Sequence, residues 1–318
     1  AAAPYAAAGA APGGDAAPPL PAAARATARR PPALDALIDA LVPLALEGPV
    51  SGEAVLAHLP PARRAGSKPW AVEGLDAATG HWQPPRPGQR YRELQAGVQL
   101  ANRSGALNEI EYSEFVQQVQ AFADAIGALP DFPDMLDVVA RARELDAFAS
   151  PRDAQLALTL RSDAVAWSIG FVEQCAVRHG FVRGTLPGRL QLPTDEEGAP
   201  PLLTLAYDQK AALAVDGDDP QEPPAARAQR AAQTAVREVQ LLLDVPQTAA
   251  AAEPFPAWHT MARKLADDLA ATVVDDYGEP LSVHAFAAIG KELGELYTQL
   301  EARGLAAGSP AARRLFSG

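Results

Sequence analysis

The stretch from Val239 to Leu300 constrains the fold more strongly than any other part of this sequence. It opens with VQLLLDVP, in which apolar residues alternate with Gln240, Leu242 and Asp244, the period of a half-buried strand. An amphipathic helix, a tight turn and a second amphipathic helix follow. This order predicts an α+β domain, with helices on one face of an antiparallel sheet and the other face open. Leu242 is the exception on the polar face, and a leucine that a sheet exposes to water favours binding over chemistry.

Length and charge exclude several classes of protein. The chain has 318 residues, which suggests about two domains. Its formal net charge of -12 argues against nucleic acid as a partner, because nucleic-acid binding depends on basic patches. Cys175 is the only cysteine, so a disulfide within the chain is excluded and one thiol cannot form a zinc site alone. No apolar run reaches transmembrane length, and no signal peptide is visible. The first residue is not methionine, so a membrane anchor upstream of residue 1 is left open.

The sequence predicts two tandem domains behind a linker. Residues 1–33 are a low-complexity run rich in alanine and proline, for which we predict a disordered linker. The order strand, helix, strand, strand, strand, helix, helix then occurs twice, over residues 35–149 and 153–304, and residues 305–318 form a C-terminal tail. We interpret this order, together with weak identity, as a tandem duplication. The alternative is coincidence in an alanine-rich chain.

Several local predictions depend on single residues. A short strand at Leu41–Leu46 should lie at a sheet edge, because Pro43 lacks a backbone donor. Ser51 is placed to cap a short helix that follows it. Ala106–Glu111 is predicted as a weaker strand, and Gly217–Ala228 as a polar insert.

The second copy resembles a known family in three passages. These are RHGFVRGTLPGRLQLP at 178–193, VQLLLDVP at 239–246 and LADDLAATVVDDYGEPLS at 265–282. In order and spacing they are similar to a helix end with the strands after it, a central strand ending in Val-Pro, and an Asp-Asp hairpin of the ZipA C-terminal domain. That family binds the tail of the tubulin-like FtsZ in bacterial cell division. The first copy shares LAN at 100–102 and is otherwise more remote.

The resemblance implies a shallow apolar groove on the open sheet face, which holds the FtsZ tail mostly by hydrophobic contact. Leu242 falls where the family has a groove phenylalanine, and Leu186 where it has a methionine. Polar residues at two of the matching positions imply a less apolar groove here. The groove residues that the resemblance implies are Gln155, Ala157, Leu186, Tyr207, Asp208 and Leu242.

The resemblance therefore implies a non-enzymatic cell-division adaptor that binds the FtsZ C-terminal tail. It implies no cofactor, no metal, no small-molecule substrate and no nucleic acid. The linker would tether the domains to the cytoplasmic face of the inner membrane at the division site, while this stretch itself is expected to be soluble. One alternative is a structural divisome scaffold, in which the two domains pack together and do not bind FtsZ. Another is an enzyme, which would need a deep polar pocket with convergent titratable groups.

Other candidate groups have simpler interpretations. Asp275 and Asp276 are neighbours in Asp-Asp-Tyr-Gly, a turn signal, and adjacent carboxylates on a strand would point to opposite faces. His179 lies four residues after Cys175, which supplies two metal ligands at most. The tail SPAARRLFSG at 309–318 is compatible with a docking strip, a tethered end or a frayed terminus.

Overall fold

Two antiparallel sheets, each with helices packed on one face, make up the described part of the chain in this computed structural model. The structure describes residues 34–196, 198–216, 224–275, 278–280 and 282–317. The predicted linker at residues 1–33 lies outside them. Both predicted domains fall within one compact unit, Pro32–Gly318.

The first half builds a sheet in the order β3-β4-β6-β1-β9, with β2 on β6 and β5 on β4. Its buried residues form a core between this sheet and helices α2 and α3. The elements are β1 (Asp39–Leu46), β2 (Val50–Ser51), α1 (Gly52–His58), β3 (Arg64–Ala65), β4 (Lys68–Asp76), β5 (Trp82–Gln83), β6 (Arg90–Gln99), β7 (Ala101–Asn102), β8 (Gly105–Ala106), α2 (Glu109–Ile126), β9 (Ala128–Pro130) and α3 (Met135–Ala149).

The second half builds a sheet in the order β12-β13-β14-β16-β10-β17. A second core lies between this sheet and helices α4 and α7. The elements are β10 (Gln155–Arg161), β11 (Trp167–Ser168), α4 (Ile169–Arg178), β12 (Val182–Arg183), β13 (Arg189–Leu192), β14 (Leu203–Tyr207), α5 (Gln209–Asp216), α6 (Pro224–Gln233), β15 (Ala235–Val236), β16 (Glu238–Asp244), α7 (Pro254–Leu269), β17 (Thr272–Val274), α8 (Val283–Ala302) and α9 (Pro310–Leu315).

The predicted α+β class is confirmed. In addition, the order β4-β6-β1-β9 of the first sheet corresponds to β14-β16-β10-β17 of the second. Each half also has one helix after its first long strand and a pair of longer helices near its end. A shared strand order is compatible with duplication, which stays a prediction.

Strand β16 follows the alternation predicted for it. Val239, Leu241 and Leu243 are at most 1% exposed in the second core, whereas Leu242 on the opposite face is half-buried. The indole nitrogen of Trp258 on α7 donates to the Leu241 carbonyl oxygen at 2.8 Å. This buried bond holds α7 against the strand. If the helix shifted, both polar groups would stay buried without a hydrogen-bond partner, which is costly.

Pro43 does not lie on an edge strand. β1 pairs with β6 on one side and with β9 on the other, although β9 begins to pair only at Leu44. The Pro43 carbonyl oxygen accepts from the Asp131 backbone at 3.0 Å, just beyond the short β9 ladder. The proline is tolerated because the neighbouring strand ends before it, which the sequence of β1 does not reveal. The prediction of an edge strand is therefore wrong.

The strand predicted at Ala106–Glu111 is also wrong, because α2 already begins inside it. Asn108 caps this helix: its Oδ1 accepts from the backbone of Ile110 and of Glu111, both at 3.0 Å. The Glu111 carboxylate accepts in return from the Asn108 backbone at 3.2 Å. This capping box satisfies donors that a strand would leave to a neighbour, so it outweighs the short alternating pattern. Ser51, by contrast, caps α1 as predicted, and its Oγ accepts from Ala54 at 3.2 Å.

The Asn108 cap gives a first testable prediction. Asn108→Ala should lower the free energy of unfolding by about 1 kcal/mol, because two backbone donors lose their acceptor. Asn108→Asp keeps an accepting side chain and should lose much less. Urea unfolding at neutral pH measures both variants, and equal losses for the two would contradict the capping role.

The polar insert lies only partly within the described residues. Residues 217–223 lie outside them, and the remainder of Gly217–Ala228 belongs to α6. The Arg227 guanidinium on this helix pairs with Glu173 on α4 at 2.8 Å. The second part of the predicted insert is therefore a helix that docks on α4.

The C-terminal tail is folded. Ser309 caps α9 by accepting from Ala312 at 3.2 Å, and Leu315 and Phe316 are each 1% exposed in the core of the first half. The Gly308 N–H donates to the Pro246 carbonyl oxygen of the second half at 2.9 Å. Of the three interpretations of the tail, the frayed terminus is excluded. Residues 305–318, which were predicted as a separate tail, instead take part in the packing between the halves.

Candidate functional site

Five of the six predicted groove residues lie on β10, β14 and β16 or directly after β14, and the sixth, Leu186, lies in the turn before β13. Ala157 on β10 lies opposite Leu242 on β16, and Thr204 on β14 lies opposite Leu242 on its other side. Cross-strand partners point to the same face, so these three side chains form a row on the face away from the helices. The row is apolar except for the threonine hydroxyl.

Two depressions lie on this open face, and the six residues divide between them. The first has a volume of about 400 Å³ and is lined by Gln155, Ala157 and Leu242, together with a proline-containing loop before β14. The second has a volume of about 550 Å³ and contains the other predicted residues, Leu186, Tyr207 and Asp208. Arg189 lines both depressions.

Tyr207 and Asp208 also serve the local structure. Tyr207 is 9% exposed, and its hydroxyl donates to Glu173 on α4 at 3.3 Å. One Asp208 carboxylate oxygen accepts from the Ala211 backbone at 3.0 Å, at the start of α5. Leu186, in contrast, is 64% exposed in the turn before β13. It is the most accessible apolar side chain of the six.

Arg103, in the turn between β7 and β8 of the first half, closes one end of the first depression. Its guanidinium pairs with Asp153 at 2.6 Å and with Asp244 at 2.7 Å. Burial opposes the charge, but hydrogen bonds to the two carboxylates outweigh it and raise the pKa of Arg103 above its usual value. Arg103 could not be predicted from the sequence, because no local pattern indicates that a residue of the first half lines a depression of the second.

Arg103 also explains why a polar residue occupies the first position of β10. In the amide orientation that satisfies its hydrogen bonds, the Gln155 oxygen accepts from Arg103 Nη2 at 2.8 Å. A leucine or valine here would remove one of the three acceptors around Nη2, which also donates to Asp153 and Asp244. Gln155 therefore belongs as much to the contact between the halves as to the groove.

The corresponding face of the first sheet is partly covered by its own chain. Leu34 lies against Gly97 on β6, where an added Cβ would approach a leucine methyl to 2.8 Å. Arg314 of α9 pairs with Asp39 on β1 at 2.5 Å, and the Asp39 side chain is 0% exposed. Burial raises the pKa of Asp39 in spite of its hydrogen bonds to Arg314. The open face of the second sheet is thus the better exposed of the two.

The remaining candidate groups have structural partners. Asp275 forms the predicted turn: its backbone pairs with Glu279 at 2.9 Å and its carboxylate accepts from the Glu279 N–H at 3.0 Å. Asp276 lies outside the described residues. Cys175 is buried, and His179 contacts the Asp268 carboxylate at 2.9 Å. Within the described ranges, no group of three potential metal ligands is found.

The fold and this surface define a class, an α+β domain with helices on one face of an antiparallel sheet and the other face open. Within this class, residues 223–292 match the sequence model of one family, the ZipA C-terminal FtsZ-binding domain. The predicted resemblance to this cell-division family is therefore confirmed for that stretch. It contains β16 and α7, and of the six predicted groove residues it contains Leu242. A comparison with curated proteins gave no match.

In the part of the chain that the structure describes, no helix combines the length and the apolar character needed to cross a bilayer.

Proposed function

We propose that this chain is a cell-division adaptor that binds the C-terminal tail of FtsZ on the open face of β14, β16 and β10. The observation that carries the proposal is the row of Ala157, Leu242 and Thr204, which lines the first of two neighbouring depressions on a domain that matches the ZipA family over β16. An extended or helical segment laid along this row would bury Leu242 and Leu186, and apolar burial is the main source of affinity in such grooves.

The face of the second sheet is favoured over that of the first for a physical reason. A ligand on the first sheet would have to displace the contacts of Leu34 and of Arg314 with buried Asp39. No such displacement is needed at Leu242. We therefore assign binding to the second copy, with the first copy supporting it through Arg103.

Membrane tethering belongs to the same proposal. The family resemblance supports a role for the alanine- and proline-rich residues 1–33 as a tether between these domains and the cytoplasmic face of the inner membrane.

The groove assignment is tested with a labelled peptide of the FtsZ C-terminal tail from the same organism, titrated into the full chain. Leu242→Asp should weaken binding by about tenfold or more, because it places a charge in the apolar centre of the interface. The matched control is Leu129→Asp on β9, a 74% exposed leucine of the first sheet, which should bind as the parent does. Binding that is absent in the parent, or equal in the parent and Leu242→Asp, would overturn the assignment.

The scaffold alternative is favoured by one observation, the contact between the halves through Arg103, Asp153 and Asp244. Packing of the halves and binding of FtsZ are compatible, so the two functions differ only in whether the open face binds. In the same titration, a parent chain that folds but does not bind the peptide would favour the scaffold.

A further inference from the structure

The cationic side chain of Arg189 lies on the open face of the second sheet, where the two depressions adjoin. Arg189, the first residue of β13, is exposed and lines both depressions. Its cross-strand partner is Ala206, a small residue over which the guanidinium can reach toward the central strands. Among the described residues, no ion pair or hydrogen bond occupies its side chain.

The carboxylates near Arg189 are engaged elsewhere or lie at the rim. Asp244 is held by Arg103 at 2.7 Å, and Asp208 accepts a backbone hydrogen bond at the start of α5. Glu238 lines the second depression without an ion pair to Arg189 in the described part of the chain. The face thus carries a positive charge that borders both depressions, one of which contains Leu242 and the other Leu186.

This arrangement favours a negatively charged partner segment at one point. A segment that crosses from one depression to the other must pass Arg189 and remove water from it. A guanidinium that loses water without gaining an acceptor weakens binding, whereas a carboxylate opposite it forms a charge-assisted, bidentate bond. Specificity then follows, because a segment with a lysine or arginine at this point is repelled.

We propose that Arg189 is a specificity-determining residue, which binds a carboxylate of the segment held in the groove. This inference rests on the proposed function and adds the chemistry of the partner to it. The carboxylate is an aspartate or glutamate side chain, or the C-terminal carboxylate of the segment, placed between two apolar anchors that enter the two depressions.

The test compares Arg189→Gln, Arg189→Glu and Arg189→Lys with the parent chain, using the labelled FtsZ tail peptide. Arg189→Gln should weaken binding by about tenfold, and Arg189→Glu by more, because an ion pair becomes a repulsion. Arg189→Lys should recover part of the loss, since it keeps the charge but not the planar fork. The affinity of the peptide for the parent chain should fall as salt is added, and its affinity for Arg189→Gln should depend less on salt.

The partner carboxylate is located with a second set of peptides. Each acidic residue is replaced in turn by its amide, and one peptide carries a C-terminal amide. The peptide that lacks the relevant carboxylate should bind the parent weakly and should be insensitive to Arg189→Gln, which is the signature of a coupled pair.

The failures of the two proposals are distinguishable. If the parent does not bind, or if Leu242→Asp binds as the parent does, the groove itself is wrong and this inference falls with it. If Leu242→Asp abolishes binding but Arg189→Gln and Arg189→Glu bind as the parent does, the groove stands and the role of Arg189 is overturned. Equal sensitivity of every amide peptide to Arg189→Gln would also overturn the specific pairing.

Discussion

Phe316→Ala should lower the free energy of unfolding by about 3–5 kcal/mol, the largest effect of a single substitution that we expect in this chain. Phe316 is 1% exposed, and it lies in the core of the first half although it is only two residues from the end of the sequence. Its loss removes apolar burial and leaves a cavity that the surrounding strands can fill only in part.

The matched control is Leu136→Ala on α3, where the leucine is 72% exposed. It should change the free energy of unfolding by less than about 0.5 kcal/mol. Urea unfolding, followed by tryptophan fluorescence and by circular dichroism, measures both variants. A Phe316→Ala protein as stable as Leu136→Ala would mean that the C-terminal helix is not docked in solution.

The same substitution should affect the contact between the halves. The Phe316 carbonyl oxygen accepts from the Gln247 side chain of the second half at 2.6 Å, next to the bond between Gly308 and Pro246. Loosening α9 removes these contacts together. We therefore expect unfolding of Phe316→Ala to become less cooperative, with the two probes no longer coincident.

Arg314→Met should cost about 3 kcal/mol at pH 7, because it leaves the Asp39 carboxylate buried without its guanidinium. The pair is bidentate, with nitrogen–oxygen distances of 2.5 and 2.8 Å, and the Asp39 side chain is 0% exposed. Removing one partner of such a pair is more costly than replacing both. The double variant Arg314→Met with Asp39→Asn should therefore recover much of the lost stability.

The loss should depend on pH in a defined direction. Burial already raises the pKa of Asp39 above its ordinary value, and removal of Arg314 should raise it further. A carboxyl with a raised pKa in the folded state retains its proton there while the unfolded chain has lost it, so stability falls as pH rises. The difference between Arg314→Met and the parent should hence shrink from pH 7 toward pH 5.

The measurement is urea unfolding of the parent, Arg314→Met and the double variant at several pH values. Other titrating groups contribute alike to each protein, so the difference isolates Asp39. The double variant lacks the carboxyl, and its difference from the parent should vary less with pH. A loss in Arg314→Met that is the same at pH 5 and pH 7 would show that Asp39 keeps its charge by another contact.

The sequence predicted strand β16 and the two helices α7 and α8 that follow it, whereas α5 and α6 were not predicted. In β16 the alternation of Val239, Leu241 and Leu243 is strict, and only one side of that strand can be buried once α7 packs on it. The prediction depends on a local period, which does not require knowledge of any distant residue. The turn at Asp275 and the cap at Ser51 were predictable for the same reason, since side chains two to four residues away decide them.

The wrong predictions concern segments whose structure is decided by a residue distant in the chain or by a competing hydrogen bond. Pro43 looked like an edge residue, but the neighbouring strand is only three residues long and stops before it. The stretch at Ala106–Glu111 looked like a strand because the reciprocal cap of Asn108 and Glu111 was not recognised. A frayed terminus was one interpretation of residues 309–318, but Arg314 within them reaches Asp39, 275 positions earlier in the chain.

The candidate groove has features that the sequence alone determined and features that only the tertiary structure decided. The sequence determined by itself that a sheet with one open face exists and that Leu242 lies on it, because the period of a strand fixes which side each residue faces. The tertiary structure alone decided which residues share the face with Leu242. It set Arg103 of the first half at one end, Arg189 between the two depressions, and the C-terminal helix on the first half. Such contacts join residues far apart in the chain, and no local pattern encodes them.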